Sequence, residues 1–255
     1  MTSQPKLEVL FTPADFAALR DRDLRPSVCA VFDVLRATTS MITALANGAE
    51  AVFPVAEIPE ALALRRKRPE LLLAGERHGV RIRADLTGGG DFDLGNSPRE
   101  FTAERVRGRT LVMSTTNGTR ALRACVGART VLVSALVNLQ ATVDWLNARA
   151  PDDLILVCAG TFEEAALEDT LAAGALADQV WPRFASGHIT DAAVIARQLW
   201  HARKTDLAAA MREARNGRRL LANPDLREDV AFSIRQNAVP LVAGLGTDGA
   251  VRRLG

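Results

Sequence analysis

The chain has 255 residues, enough for one large α/β domain or two small ones. Hydrophobic residues make up 48% but aromatic ones only 5%, so alanine, leucine and valine must fill the core, which suits helices packed closely on a parallel sheet. The 32 basic and 30 acidic residues nearly balance, at a net charge of +2; this excludes a protein whose main business is coating nucleic acid, but not one that binds a small phosphorylated anion.

From the N-terminus, Met1 to Phe11 lacks a basic segment followed by a long apolar run, so no signal peptide is expected. Lys6 to Phe11 reads as a first strand, and Thr12-Pro13-Ala14-Asp15 as a helix start with Thr12 as cap and Pro13 at the first helical position. Val28 to Phe32 is a buried strand. It runs straight into Asp33, Arg36, Thr38 and Thr39 and then a small-residue helix containing Ala44, Leu45 and Ala46. Ala51 to Val55 follows as a strand, Pro59 to Lys67 as a short basic helix, and Leu71 to Ala74 as a strand ending in Gly75-Glu76-Arg77. His78 to Asn96 has neither helical nor strand period and carries Gly88-Gly89-Gly90; long structureless loops in compact domains are usually functional or disordered. Ser97-Pro98-Arg99-Glu100 has the form of a capping box.

Leu111 to Met113 then repeats the earlier pattern: a strand, the polar run Ser114-Thr115-Thr116-Asn117-Gly118-Thr119-Arg120, and a helix. Val131 to Val133 and Leu154 to Val157 are further strands, Val143 to Ala148 continues a helix, and Thr161 to Glu164 again has capping-box spacing. The C-terminal part is mostly helical, over Ala192 to Ala202, Leu207 to Leu221 and Leu226 to Gln236, with Val239 to Val242 as a last strand. Repetition of strand, polar turn and helix predicts a single α/β domain over 1–255. The architecture expected is three-layer: a mostly parallel or mixed sheet with helices on both faces. The echo between the Asp33 and Thr115 segments also allows two pseudo-repeated halves.

Polar residues where a strand ends and a helix begins lie where open α/β sheets bind ligands, and free helix N–H groups there favour an anion. Asp33 can ligate a divalent metal or attack phosphorus, and Arg36 can clamp phosphate oxygens; the alternative is a mutual salt bridge with Thr38 as helix cap. Thr115, Thr116, Asn117, Gly118 and Thr119 offer donors for a phosphate or second acid group, or else form an ordinary turn. Glu76, Asp91 and Asp93 beside the long loop, and Glu168 and Asp169 in a helix, are oxygen donors of the kind Mg²⁺ uses together with substrate phosphate. Cys29, Cys125 and Cys158 are odd in number without metal-ligand spacing, which suits a reducing compartment; Cys158 has no arginine close behind it and reads as a small buried thiol. His78, His188 and His201 are scattered. Arg212, Arg215, Arg218 and Arg219 read as a solvated helix face. No nucleotide P-loop is present, and Leu35 stands where a haloacid-dehalogenase phosphatase has its second aspartate.

Five motifs in series resemble the 2-phosphosulfolactate phosphatase family over about Val31 to Gly174. They are Phe32-Asp33-Val34-Leu35-Arg36-Ala37-Thr38-Thr39, Gly75-Glu76-Arg77, Phe92-Asp93-Leu94-Gly95-Asn96-Ser97-Pro98, Thr115-Thr116-Asn117-Gly118-Thr119, and Cys158-Ala159-Gly160 with Glu168-Asp169-Thr170 after it. The resemblance implies a Mg²⁺-dependent phosphatase that converts 2-phospho-3-sulfolactate to 3-sulfolactate and phosphate, as in coenzyme M biosynthesis. One departure is Phe162-Glu163-Glu164-Ala165-Ala166, where a glycine-rich turn is expected.

On this reading Asp33 and Arg36 are catalytic, and Mg²⁺ is held from among Asp33, Glu76, Asp93 and Asp169. Thr38, Thr39, Arg77 and the 115–119 run bind phosphate or substrate, with Arg120 a further source of positive charge. The partner expected is a small anionic phosphorylated substrate, with no nucleic acid and no membrane, in the cytoplasm. The Ala/Leu-rich C-terminal helices suit either a homodimer face or core. The competing reading is a non-catalytic sensor of a phosphorylated metabolite.

Overall fold

The computed structural model describes residues 4–255, so Met1 to Ser3 of the N-terminal stretch lie outside the described residues. The strands are β1 (Lys6–Leu10), β2 (Val28–Phe32), β3 (Ala51–Val55), β4 (Leu72–Arg77), β5 (Val80–Arg81), β6 (Thr110–Ser114), β7 (Thr130–Ser134), β8 (Asp153–Cys158), β9 (His188–Ile189), β10 (Val242–Leu245) and β11 (Val251–Leu254). They form one mixed, mostly parallel sheet in the order β5-β4-β6-β3-β11-β10-β7-β2-β8-β1-β9. Helices cover both faces, as expected for an α/β fold whose parallel strands are buried on two sides.

The sheet consists of two parallel blocks, β4-β6-β3 and β7-β2-β8-β1-β9, bridged by the antiparallel hairpin of β10 and β11, with β5 antiparallel at the edge on β4. The Asp33 segment closes β2 and the Thr115 segment closes β6, so the sequence echo falls on different blocks of one sheet. Helices Ala37–Ala46 and Gly118–Ala124 lie between the blocks: Met41, Ile42, Ala121 and Leu122 share one core with Val31 of β2 and Leu111 of β6. Three antiparallel pairings make the two blocks run in opposite directions, yet the turns that follow β2 and β6 meet, with Asp33 of the first against Gly118 of the second.

Alanine and glycine replace aromatics by letting backbones come close. Helix Leu167–Phe184 packs on helix Asp191–Arg203 so tightly that a Cβ on Gly174 would overlap Ala196 O and stand 3.1 Å from Trp200 Cβ. Gly75, at φ +151°, similarly lets β4 approach the Ser114 backbone of β6.

Thr12 caps the first helix as the sequence predicts, with Asp15 completing the box. The long loop is not structureless. It contains β5 and a short helix Ala84–Thr87, and its Ile82, Phe92 and Leu94 are 0–1% exposed. The Ser97 and Thr161 capping boxes do not form. Ser97 Oγ instead donates to Asp229 Oδ1 at 2.6 Å, and Thr161 and Glu164 exchange backbone hydrogen bonds ahead of a helix that begins only at Leu167. The expected helix 207–221 is two, Leu207–Glu213 and Arg215–Leu221, broken at extended Ala214. The last strand lies at Val242–Leu245 rather than Val239–Val242, and the β10–β11 hairpin, turned by Thr247-Asp248-Gly249, was not anticipated. Among the described residues no helix is long and apolar enough to cross a membrane.

Candidate active site

The ends of β2 and β8 are neighbours in register, Phe32 opposite Cys158, and Ala159 N–H donates to Phe32 O at 2.8 Å. Asp169, in the first turn of helix Leu167–Phe184, ties the two following turns together. Its Oδ1 accepts from Val34 N–H at 2.8 Å and its Oδ2 from Gly160 N–H at 3.1 Å. The side chain is buried. Burial, and then the negative charges of Asp33 and Glu168, hold its carboxyl well above the usual range.

That clamp sets the course of the turn carrying Asp33. Thr38 Oγ1 donates to Asp33 O at 2.9 Å and accepts from Asp33 N–H at 3.0 Å, which anchors the backbone on both sides of the side chain. Asp33 Oδ1 accepts from Ala37 N–H at 3.0 Å. Its Oδ2 lies against Gly118, where a Cβ would overlap it and stand 2.7 Å from Ala37 Cβ. The two polar segments thus meet at this carboxylate. Burial pushes its pKa to about 7; Glu76 and Glu168 add to the rise, against the Ala37 N–H and the Arg36 charge.

Asp33, Arg36, Glu76, Thr116 and Asn117 line one cleft. Glu76 is 7% exposed and fully engaged: Oε1 accepts from Thr116 N–H and Oγ1, both at 2.9 Å, and Oε2 from Gly79 N–H at 2.7 Å. Asn117 Nδ2 donates to Ala159 O and Phe162 O, so the second segment is also tied to the β8 turn. Arg36 pairs not with Asp33 but with Asp229, far along the chain. Nη1 donates to Asp229 Oδ2 at 2.6 Å and Nη2 to Gly79 O at 2.7 Å.

The other expected residues stand elsewhere. Thr39 Oγ1 donates to Val34 O, Thr119 Oγ1 to Thr115 O, and Thr115 Oγ1 accepts from Thr119 N–H; all three are buried and brace their turns. Arg77 spends its guanidinium on Glu76 O, Ser114 and Ala56 O. Asp93 accepts from Leu73 N–H at 2.7 Å and Arg65 at 2.6 Å, away from the cleft, and Arg120 pairs with exposed Glu163. The first N–H groups of helix Ala37–Ala46, expected to cradle an anion, are used by Asp33 itself through Ala37 and Thr38. Cys158 is fully buried, and burial raises its thiol well above the usual range.

Four contributors were not anticipated: Asn96, Asp229, Asn216 and Arg219. The C-terminal helices bring in the last three. A buried guanidinium after β2 demands a counter-charge, but nothing local identifies Asp229 among the acids. Arg219, read as part of a solvated face, is exposed but borders the cleft.

The arrangement concentrates hard oxygen donors around Asp33. Asn96 Oδ1, Asn117 Oδ1 and Glu168 Oε2 are buried without hydrogen-bond partners. Both oxygens of Glu76 and of Asp169 accept hydrogen bonds from backbone N–H groups. Among the described residues no three His, Cys, Asp or Glu side chains group as a metal cage.

A model of the family described as 2-phosphosulpholactate phosphatase matches residues 16–247. Among curated relatives, a probable 2-phosphosulfolactate phosphatase of Synechococcus is 40% identical over 223 residues, 85% of this chain and 88% of the relative. One of Carboxydothermus hydrogenoformans is 35% identical over 241 residues, 93% and 92% of the two chains. One of Clostridium acetobutylicum is 30% identical over 238 residues, 93% and 96%.

Proposed function

We propose, from the premise that this chain belongs to the 2-phosphosulpholactate phosphatase family and is a phosphoric monoester hydrolase, that it hydrolyses 2-phospho-3-sulfolactate to 3-sulfolactate and inorganic phosphate with Mg²⁺. The reaction is a step of coenzyme M biosynthesis. The observation that carries this reading is the meeting of Asp33 and Gly118 in the cleft that Arg36 also lines.

Phosphate-monoester hydrolysis has a very high uncatalysed barrier, which enzymes lower mainly by positioning and by neutralising charge on the transferring group. Arg36 is held rigidly by Asp229 and Gly79 O, and the rest of its fork is available to phosphoryl oxygens. Asp33, crowded by the charges of Glu76 and Glu168, would be ionised with a divalent cation bound and would then serve as its ligand rather than as a proton carrier. Mg²⁺, when bound, supplies positive charge to the phosphoryl oxygens. Asp33, Asn96 and Asn117 would hold it, in the manner of a cation that takes one or two carboxylates plus substrate phosphate. The orphaned amide oxygens and the repulsion among Asp33, Glu76 and Glu168 both favour a cation there. Glu76 and Asp169, each accepting backbone N–H groups on both oxygens, hold the loops around the cleft and add to its negative field.

A phosphate-release screen over phosphorylated hydroxy acids, run on chelator-stripped protein with and without added Mg²⁺, tests the proposal. Release is expected to be fastest from 2-phospho-3-sulfolactate and to require Mg²⁺. Full activity of stripped protein in chelator, or no preference for that ester over glycerol 2-phosphate, would overturn it.

Gly118 gives a sharper check. Gly118→Ala forces a methyl group onto Asp33 Oδ2 and Ala37 Cβ, so the carboxylate must shift. Displacements on the order of 1 Å cost roughly 10²-fold in rate. Single-turnover phosphate release is expected to slow by about that factor while the circular dichroism spectrum stays that of the parent. An unimpaired rate would mean that Asp33 does not act where it meets the second loop.

A further inference from the structure

Two arginines border the cleft, and they differ in what they are free to do. Arg36 is 3% exposed and its charge is already answered by Asp229. Arg219, on helix Arg215–Leu221, is exposed; it donates to Asn216 Oδ1 at 3.2 Å and has no carboxylate within salt-bridge reach among the described residues. Its neighbour Arg215, by contrast, is paired with Glu164.

Arg219 is nevertheless held in place. Asn216 is pinned by its own donations to Thr161 Oγ1 at 2.7 Å and Glu168 Oε1 at 2.6 Å. On the other side the guanidinium lies against Gly79, where a Cβ would stand 3.3 Å from Arg219 Cζ and Nη2. Gly79, at φ +80°, therefore touches both arginines: its carbonyl accepts from Arg36 and its bare α-carbon faces Arg219. Two cationic forks thus flank a single residue. One is buried and paired with Asp229 beside Asp33; the other is ordered at the mouth with no carboxylate in contact among the described residues, although its charge reaches Glu168.

We infer that Arg219 is the specificity residue of the cleft: it takes the second acid group of the substrate, a carboxylate or sulfonate carried on a carbon next to the phosphate ester, while the phosphoryl group sits at Asp33 and Arg36. The inference rests on the hydrolase reading above. A planar fork with donors beyond the one given to Asn216 matches either acid, and it favours esters that bear one over esters that do not.

Three esters of one skeleton test it. Isopropyl phosphate has no second acid, 2-phospholactate adds a carboxylate, and the phosphate ester of 2-hydroxypropane-1-sulfonate adds a sulfonate. The readout is the ratio of kcat/KM for each acid-bearing ester to that for isopropyl phosphate, in the parent, Arg219→Gln and Arg219→Lys. Arg219→Gln is expected to lower one or both ratios about 10- to 100-fold, the loss typical of one charged hydrogen-bonding partner, mainly through KM, with Arg219→Lys between. The ratio that falls further identifies the acid. Ratios unchanged in Arg219→Gln would overturn the inference, because an equal loss on all three esters means a phosphoryl-binding or structural role. If the parent turns over none of the three, the hydrolase reading is still decided by phosphate release from 2-phospho-3-sulfolactate. Calorimetric Kd ratios for the same esters then decide the Arg219 inference by the same rule.

Discussion

Asp33→Asn abolishes phosphate release and at the same time stabilises the metal-free protein above neutral pH. Both effects come from the same carboxylate. Removing the carboxylate expected to hold Mg²⁺ lowers kcat/KM by about 10³-fold or more. The stability effect follows from linkage. The folded carboxyl titrates at about 7 against an ordinary 3.8, chiefly because burial disfavours its charge. Between those values the folded protein keeps a proton that the unfolded chain has released. Stability therefore falls as pH rises through that window and then stays level above it. A shift of about 3 units corresponds to at most about 4 kcal/mol. Solvent in the cleft reduces this to on the order of 1–2 kcal/mol. Asparagine keeps the acceptor for Ala37 N–H and carries no charge. Its melting temperature at pH 8 is expected to exceed the parent's by roughly 2–6 °C, the difference vanishing toward pH 4. Mg²⁺ should raise the melting temperature of the parent and not of the variant. A variant that is less stable than the parent at pH 8, or that still hydrolyses its ester well, contradicts this account of Asp33.

Asp229→Ala is expected to be the most destabilising single change at the site, by about 3–5 kcal/mol, because it leaves the Arg36 guanidinium buried without its counter-charge. Asp229 is 0% exposed. It accepts from Arg36 at 2.6 Å and from Ser97 Oγ at 2.6 Å, with Arg99 Nε 3.3 Å away. One carboxylate thus joins the β2 turn, the segment after the long loop and the C-terminal helices. Urea denaturation should show the loss. A second variant separates the buried charge from a general packing defect: Arg36→Met together with Asp229→Leu removes both charges and should recover most of the stability but no activity. A double variant no more stable than Asp229→Ala would show that the cost is not the orphaned charge.

The sequence was legible wherever structure is dictated locally. A short all-apolar run with β-branched residues such as Val28 to Phe32 reads as a strand covered on both faces, and Thr12 with Pro13 starts a helix because both act on their own turn. It misled where a side chain had a better distant partner. Ser97 has capping-box spacing, yet its hydroxyl turns to donate to the fully buried Asp229 carboxylate from another part of the chain, and the Glu100 N–H that a cap would accept from bonds Ser97 O instead. The loop after β4 lacks periodicity because Ile82, Phe92 and Leu94 reach the core one at a time rather than as a face.

The candidate site divides in the same way. That Asp33, Arg36 and the Thr115 segment close strands before helices, and that they occur in series with three other motifs, is a property of residue order; from it follow the α/β class, the family and the hydrolase. Which of those groups remain free for chemistry was settled only by folding. Hydrogen bonds and ion pairs form across any sequence separation, and they engaged Arg77, Asp93, Glu76 and five threonine hydroxyls. Packing of the C-terminal helices set Asp229 behind Arg36 and left Arg219 at the mouth bonded to Asn216 rather than to a carboxylate, because the balance of charge in a cleft is decided by distances in space, which spacing along the chain does not carry.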